Sequence, residues 1–208
     1  MMIRAATEDD APACASIYRP YVTDTAITFE SEPPTAGRMA ERIAVATRGH
    51  AWLVATDAGR VVGYAYGSEY KSRAAYRWSC EVSVYLEVGR RRTGAGRALY
   101  EALFDRLAER GYRTVLAGIT LPNPPSEALH RALGFEPVGT FRHVGWKHDA
   151  WRDVLWTQRS LPGPDPTSAP QHEVGEPEHS SIGRQVHPLP AVDPLPDLPG
   201  SRIAGVVQ

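Results

Sequence analysis

Cysteine is scarce in this chain. Its 208 residues include only Cys14 and Cys80, with no CxxC pair and no Cys/His cluster around either. That pattern argues against a zinc or iron–sulfur site and against a disulfide-stapled secreted fold, so no metal is expected and the reducing cytoplasm is the expected compartment. Long apolar runs are missing too: none approaches the ~18 residues of a membrane span. The opening MMIRAATEDD also has acidic residues where an export leader needs a basic region, so no membrane partner is expected. Neither sign of charge dominates, because 23 Lys+Arg stand against 24 Asp+Glu for a net of -1. A general polyanion or membrane-surface binder is therefore disfavoured. The chain has no internal repeat.

Aromatic residues are absent from one stretch. From Leu161 on, the last 48 residues hold no Phe, Trp or Tyr but 10 of the 18 prolines. Their charges are Asp165, Glu173, Glu176, Glu178, Asp193 and Asp197 against Arg184 and Arg202. Low hydrophobicity with net negative charge cannot offset the entropy of ordering, so residues 162–208 are expected to form a disordered tail of polyproline character. Residues 1–161 are expected to be one domain, long enough to bury a full core unaided.

Within that domain the patterns of strand and helix mix. Met2 to Ala6 is a strand candidate, and Thr7 before Glu8, Asp9 and Asp10 opens a helix through Tyr18. Thr35 opens a second helix through Met39, Ile43 and Val45. Ala51–Thr56 and Arg60–Gly67 are strand-like runs around Asp57-Ala58-Gly59, which reads as a three-residue hairpin loop. Cys80 to Val88 alternates Val82, Val84 and Leu86 with Glu81, Ser83, Tyr85 and Glu87, a strand with two distinct faces. An amphipathic helix runs from Ala95 through Leu99, Leu103 and Leu107 to a stop at Gly111. Thr114–Ile119 is a buried-looking strand, Ser126–Leu133 a short helix, and Phe135–Arg142 and Asp153–Thr157 are closing strands. Because strands and helices do not strictly alternate, the expected fold is α/β with a mixed, twisted sheet and helices on both faces.

The stretch richest in chemistry runs from Glu81 to Arg97. It leads a strand through a basic, Gly-containing loop into a helix. Such a loop suits phosphate: Gly94 and Gly96 let the backbone approach a ligand, N–H groups at the helix start point at an anion, and Arg90, Arg91, Arg92 and Arg97 offer counter-charge. It lacks the Gly-Lys-Ser/Thr of a nucleoside-triphosphate loop and the GxGxxG of a dinucleotide fold.

Arg91-x-x-Gly94-x-Gly96 between a strand and a helix resembles the pyrophosphate signature of the GNAT N-acetyltransferase family. Asn123-Pro-Pro-Ser126-Glu-Ala-Leu-His130-Arg-Ala-Leu-Gly134-Phe135 resembles that family's second cofactor segment, with His130 standing where a tyrosine is usual. Lys71-Ser-Arg73-Ala-Ala-Tyr76-Arg-Trp78, Gly118-Ile-Thr-Leu-Pro122-Asn123, Gly145-Trp-Lys147-His148-Asp-Ala-Trp151-Arg-Asp153 and Thr28-Phe29-Glu30 are similar to one branch, the phosphinothricin and methionine sulfone/sulfoximine N-acetyltransferases. The resemblance covers residues 2 to 160. It implies a sheet of about seven strands, acetyl-CoA as co-substrate, a small amino acid as acceptor and a homodimer.

Acetyl transfer from a thioester to an amine needs an unprotonated amine, a held carbonyl, a donor to the oxyanion and a proton for the thiolate. The resemblance places the general base at Glu81. It implies that Val84, Tyr85 and Leu86 hold the pantetheine arm through their backbone. Arg91, Arg92, Thr93, Gly94, Ala95, Gly96 and Arg97 would hold the pyrophosphate, with Asn123 and Ser126 on the arm. His130 stands where the family often places the proton donor, and Tyr85 and Tyr100 are the alternatives. Lys71, Arg73 and Tyr76 are candidates for an acceptor carboxylate or phosphinate. Phe29, Val82, Ser83 and Glu81 would line the acceptor pocket. Trp146, Trp151 and Trp156 read as core or dimer surface.

Two other readings stand beside this one: acetylation of a protein N-terminus or another amine, and a non-catalytic CoA-binding module whose Pro-rich tail recruits partners. Nucleic acid is not an expected partner, because the arginines gather at one loop rather than along a face with interleaved aromatics.

Overall fold

The computed structural model describes residues 1–90 and 93–163. The expected tail and the arginines Arg91 and Arg92 lie outside the described residues, apart from the tail's first two positions. The elements run β1 (Met2–Ala5), α1 (Ala11–Thr23), α2 (Ala36–Gly49), β2 (Trp52–Asp57), β3 (Arg60–Glu69), β4 (Ser79–Leu86), α3 (Ala95–Glu109), β5 (Thr114–Thr120), α4 (Pro124–Ala132), β6 (Glu136–Lys147) and β7 (Ala150–Ser160). Seven strands form one sheet in the order β1-β2-β3-β4-β5-β7-β6. Every neighbouring pair is antiparallel except β4 and β5, which the long connection through α3 makes parallel. The mixed sheet with helices on both faces is as the sequence patterns suggest.

Each face carries its own core. Leu99, Leu103 and Leu107 recur every four residues along α3, with Tyr100 and Phe104 beside them, and meet Leu53, Ala55, Ala65, Cys80 and Val82. On the other face Cys14, Ile17, Tyr18 and Val22 of α1 and Met39, Ile43 and Ala46 of α2 cover Trp52, Val54 and Tyr64. The side chains of β2 alternate between the two: Trp52 and Val54 one way, Leu53 and Ala55 the other. Full burial of each such Leu or Val contributes roughly 1.5–3 kcal/mol.

Helix starts and turns follow their local chemistry. Thr35 Oγ1 accepts the Arg38 N–H at 3.2 Å and opens α2. A short 3-10 turn at Glu8–Asp10 precedes α1, and Asp10 serves there as acceptor for Thr7 N–H (2.9 Å) and for a bidentate Arg4 (2.7 and 2.7 Å). The β2–β3 loop is one residue shorter than the sequence suggests. Asp57 pairs with Arg60, and Ala58 and Gly59 take φ values of 49° and 79°, the left-handed pair a two-residue hairpin requires.

The closing hairpin is longer than its hydrophobic pattern, because a bulge lies between Phe141 and Gly145 with His143 left-handed at φ 52°, and β6 continues beyond it to Lys147. Trp146 and Trp151 are cross-strand partners with rings 5.4 Å apart, and each is 58% exposed. They belong to the surface rather than to a core. Leu161 is buried and donates its N–H to the Arg113 carbonyl at 2.8 Å, so chain packing persists through Leu161.

Candidate active site

The site begins where the sheet comes apart. β4 and β5 pair only at Ser79↔Thr114, Cys80↔Val115 and Glu81↔Leu116, although both strands continue. Beyond Glu81 the two diverge. Glu87 N–H bonds back to the Val62 carbonyl of β3 at 2.9 Å, so the two-residue alternation turns the backbone groups of Val82, Val84 and Leu86 to the opposite edge, into the fork. The Leu86 carbonyl accepts the Tyr21 hydroxyl at 2.7 Å. The fork therefore offers a row of backbone donors and acceptors to an extended ligand.

At the open end of the fork lies the N-terminus of α3. Gly94 caps it with φ 79°, and no atom stands within 4 Å of where its Cβ would be, so glycine is required there by conformation rather than by space. Glycine has no side chain to cap the helix, and the Ala95 N–H makes only a long 3.5 Å contact with Thr93 Oγ1, so the helix start can receive an anion. Gly96 is confined instead: a Cβ there would lie 3.4 Å from Leu129 and 3.7 Å from Leu86. Thr93 Oγ1 donates to the Arg90 carbonyl at 3.1 Å and shapes the turn, and Ala95 is buried.

Two of the loop's arginines have other commitments. Arg90 binds Asp57 (2.7 Å) and Glu87 (3.1 Å), and Glu87 is also held by Arg60, which brings its pKa down to about 2. Arg97 reaches Glu101 at 3.3 Å and the Ala132 carbonyl at 3.2 Å. It lines a cavity of about 470 Å³ with Leu133, Glu136 and Arg159. Of the described arginines in the loop, neither is left with its charge unmatched.

Glu81 stands at the point of divergence. It shares a face of β4 with Ser83 and Tyr85 and pairs across the sheet with Ser68. It is half-buried, and no hydrogen-bond or ion-pair partner contacts its carboxylate among the described residues. Burial alone raises its pKa above the usual glutamate value. A half-buried carboxylate of raised pKa and without a partner is the expected state of a general base. The two cysteines are no competitors as nucleophiles, since burial pushes both thiols up to about 12.

Tyr85 and His130 lie on opposite faces of the sheet. Tyr85 packs among Tyr18 (4.8 Å), Tyr21 (5.1 Å) and Tyr64 (5.5 Å), where burial raises its phenol far above the usual range. His130 is only 4% exposed, on α4 beneath the fork. Its Nδ1 lies 2.8 Å from the Ser126 carbonyl, which can only accept, so Nδ1 carries the proton and Nε2 accepts the Tyr100 hydroxyl at 3.2 Å. Tyr100 also approaches the Val82 carbonyl at 3.5 Å, on the edge that faces the fork. Burial lowers the His130 pKa and raises that of Tyr100. The side chain of Val82 is buried against α3, so only its backbone can serve the site.

Asn123 caps α4, its Oδ1 accepting the Ser126 N–H at 3.3 Å. The Ser126 hydroxyl turns to His130 Nδ1 at 3.3 Å.

The β3–β4 loop that leads into β4 carries Lys71 and Arg73. Lys71 Nζ lies 5.1 and 5.2 Å over the rings of Tyr70 and Tyr76, and neither Lys71 nor Arg73 meets a carboxylate among the described residues. Tyr70 is also 6.1 Å from Trp156, so the third tryptophan turns toward this loop rather than joining the other two.

Phe29 lies in the α1–α2 loop with its ring on Gly145, where an added Cβ would overlap it. That loop is tied down by groups the sequence patterns did not mark. Glu30 is held by Arg42 at 2.8 and 2.9 Å and by the Tyr18 hydroxyl at 3.0 Å. Lys147 Nζ donates to the carbonyls of Val22, Thr28 and Glu30 at 2.7, 2.7 and 2.9 Å. Lys147 lay within the branch-like segment; Arg42 gave no signal beyond its place on α2. Among the described residues no cluster of three or more His, Cys, Asp and Glu side chains gathers as a metal site, and no helix is long and apolar enough to cross a membrane.

A forked sheet with a bare helix N-terminus at its mouth matches a known class. A family model described as the acetyltransferase (GNAT) domain matches residues 3–156, and the chain belongs to that family of N-acetyltransferases. Among its relatives are a phosphinothricin N-acetyltransferase of Streptomyces viridochromogenes, 38% identical over 79% of this chain and 90% of the relative, and an L-methionine sulfoximine/L-methionine sulfone acetyltransferase of Pseudomonas paraeruginosa, 39% identical over 81% and 98%. A solved phosphinothricin acetyltransferase of Sinorhizobium meliloti, in complex with AcCoA, superimposes with a TM-score of 0.77 at 39% identity, over 81% of this chain and 92% of that one. The resemblance to the family and to its phosphinothricin branch is borne out.

Proposed function

We propose that this N-acetyltransferase moves the acetyl group of acetyl-CoA to the α-amine of a small amino acid of the phosphinothricin or methionine sulfoximine/sulfone kind. The observation that carries the reading is Glu81, an unpaired, half-buried carboxylate of raised pKa at the divergence of β4 and β5, between the fork and the cationic β3–β4 loop. The relatives bear the names of enzymes for these acceptors.

The site suits acetyl-CoA on its own chemistry. Backbone groups of Val82, Val84 and Leu86 face the fork and can pair with the amides of a pantetheine arm, while the α3 N-terminus behind Gly94 suits a pyrophosphate. Acetyl-CoA supplies an activated acyl carbon and a thiolate leaving group. Glu81 takes the ammonium proton, directly or through a water. Tyr100, held between His130 Nε2 and the Val82 carbonyl at the fork's edge, gives a proton to the departing sulfur, and the proton that the attacking nitrogen sheds on becoming an amide balances it. Tyr85, on the other face, acts through its packing on α1 alone, because its backbone groups face β3 and not the fork. Lys71 and Arg73 attract the acceptor's carboxylate or phosphinate, and Tyr76 adds a neutral donor.

Thiol release with acetyl-CoA and L-phosphinothricin, L-methionine sulfoximine, L-methionine sulfone or a short peptide tests the reading. Saturable turnover of the amino acids is expected, with a fall of about 10²–10⁴-fold in Glu81→Gln. Turnover of the peptide alone would overturn the acceptor assignment. We also propose a homodimer in the cytoplasm. Val138, Phe141, Val144, Trp146 and Trp151 expose a run of large apolar side chains on the closing hairpin, more than a solitary surface strand sustains. Sedimentation of wild type against Trp151→Glu should show a dimer dissociating, and a wild-type monomer would end that assignment.

A further inference from the structure

We infer that Lys147 is a positioning residue for the amino-acid acceptor: its ammonium ties the α1–α2 loop to the end of α1 and so fixes the Phe29 ring, the group that the branch resemblance assigns to the acceptor. The inference deepens the function proposed above and rests on it. The three ammonium protons meet three backbone carbonyls, Val22 at 2.7 Å, Thr28 at 2.7 Å and Glu30 at 2.9 Å. Val22 ends the buried face of α1, and Thr28 and Glu30 flank Phe29, so one cation joins the end of α1 to the middle of the loop.

No carboxylate pairs with Lys147 among the described residues; the Glu30 carboxylate is taken by Arg42 and Tyr18. Charge-assisted bonds to three neutral carbonyls make a geometric device rather than a salt bridge. Neither a guanidinium, whose donors are planar, nor an amide, with two, reproduces a three-cornered set of donors.

The neighbours of Lys147 act on the same segment. Gly145 leaves the space that the Phe29 ring fills, and the His148 ring nitrogen Nε2 donates to the Thr25 carbonyl at 3.1 Å. Thr28 Oγ1 meets the Tyr18 hydroxyl at 2.7 Å. The end of β6 therefore serves as a mould for residues 25–30. Trp146, between Gly145 and Lys147, points outward instead, as strand alternation demands.

The test compares wild type with Lys147→Met, Lys147→Arg and Gly145→Ala, the last displacing Phe29 while leaving the ammonium in place. Steady-state kinetics in each substrate and amide hydrogen exchange of the 22–30 segment are measured. The expected result for Lys147→Met is a rise of about tenfold in the acceptor KM, with the acetyl-CoA KM and saturated kcat within about twofold of wild type. Exchange at 22–30 becomes faster while α3 keeps its protection. Lys147→Arg recovers little of the loss, and Gly145→Ala raises the acceptor KM with exchange at Val22 preserved.

An unchanged acceptor KM in an active Lys147→Met enzyme overturns the inference and leaves the proposed function standing. So does a parallel change of both KM values with a fall in melting temperature, the mark of a merely structural residue. A wild-type chain that binds acetyl-CoA and turns over none of the amino acids overturns the function, and the inference with it.

Discussion

The two faces of the sheet are held by different forces. Behind α3, Leu99, Leu103 and Leu107 interlock with strand aliphatics, beside the hydrogen-bonded pair of Tyr100 and His130. Behind α1 and α2, Trp52, Tyr64, Tyr66 and Tyr85 stack, and the rim is tied by Glu30, Arg42, Tyr18 and Lys147. The first arrangement depends on volume and tolerates no cavity. The second depends on direction, since hydrogen bonds aim a loop where packing alone would only cover it. Both faces bury apolar side chains, and the acceptor positioning proposed for Lys147 belongs to the second.

The sharpest way to break this contrast is Leu103→Ala. Loss of a fully buried leucine from the α3 face should cost about 2–5 kcal/mol of stability. Denaturant melts would record the loss, while the acceptor KM of the folded enzyme stays at its wild-type value. A raised acceptor KM would show that the two faces are coupled after all.

A second test uses pH. Because burial raises the Glu81 pKa, its folded form holds a proton that the unfolded chain has released. Stability is therefore lost as pH rises from the unfolded value through the folded one, and the loss is complete above it. Glu81→Gln should be at least as stable as wild type at neutral pH, by a margin that shrinks as the pH falls. The acid limb of kcat/KM should lie above the ordinary carboxylate range in wild type and vanish in the variant. Asp10 has the opposite sign. Arg4 holds its carboxyl below the usual value, so its contribution is present above the unfolded pKa and fades as the pH falls through the folded one. Melts of Glu81→Gln and Asp10→Asn from pH 3 to 8 would separate the two.

The smallest effect is reserved for Asn123→Asp. A carboxylate keeps the cap on the Ser126 N–H and suits the helix N-terminus, so melting should move by no more than about 0.5 kcal/mol. The side-chain amide donors are lost, and the acetyl-CoA KM should rise if they hold the pantetheine arm. An unchanged KM would reduce Asn123 to its capping role.

Much of this arrangement is legible in residue patterns because it is periodic. The α3 stripe, the two faces of β4 and the Gly94 turn all follow from spacing, and Glu81, Ser83 and Tyr85 are placed on one face by alternation alone. The commitments of Arg90 and Arg97 are not legible, because Asp57 and the Ala132 carbonyl come from distant elements. Nor is the role of Lys147. Its partners are backbone carbonyls, which every residue possesses, and only the tertiary fold chooses those of Val22, Thr28 and Glu30. Likewise the hairpin loop at Ala58 needed the strand register, since alanine carries no preference for a left-handed turn.

The ladder between β4 and β5 stops after three residue pairs, and this makes β4 an edge strand in the middle of a sheet. Edges invite extended partners. A thioester substrate whose arm carries amides can be received there as strand augmentation, with the ligand taking the rungs that β5 gives up. Chemistry and folding then share one currency, because a partner that binds the native sheet alone also raises its resistance to unfolding by mass action. A co-substrate received in this way would act as an eighth strand, present only while the enzyme is at work.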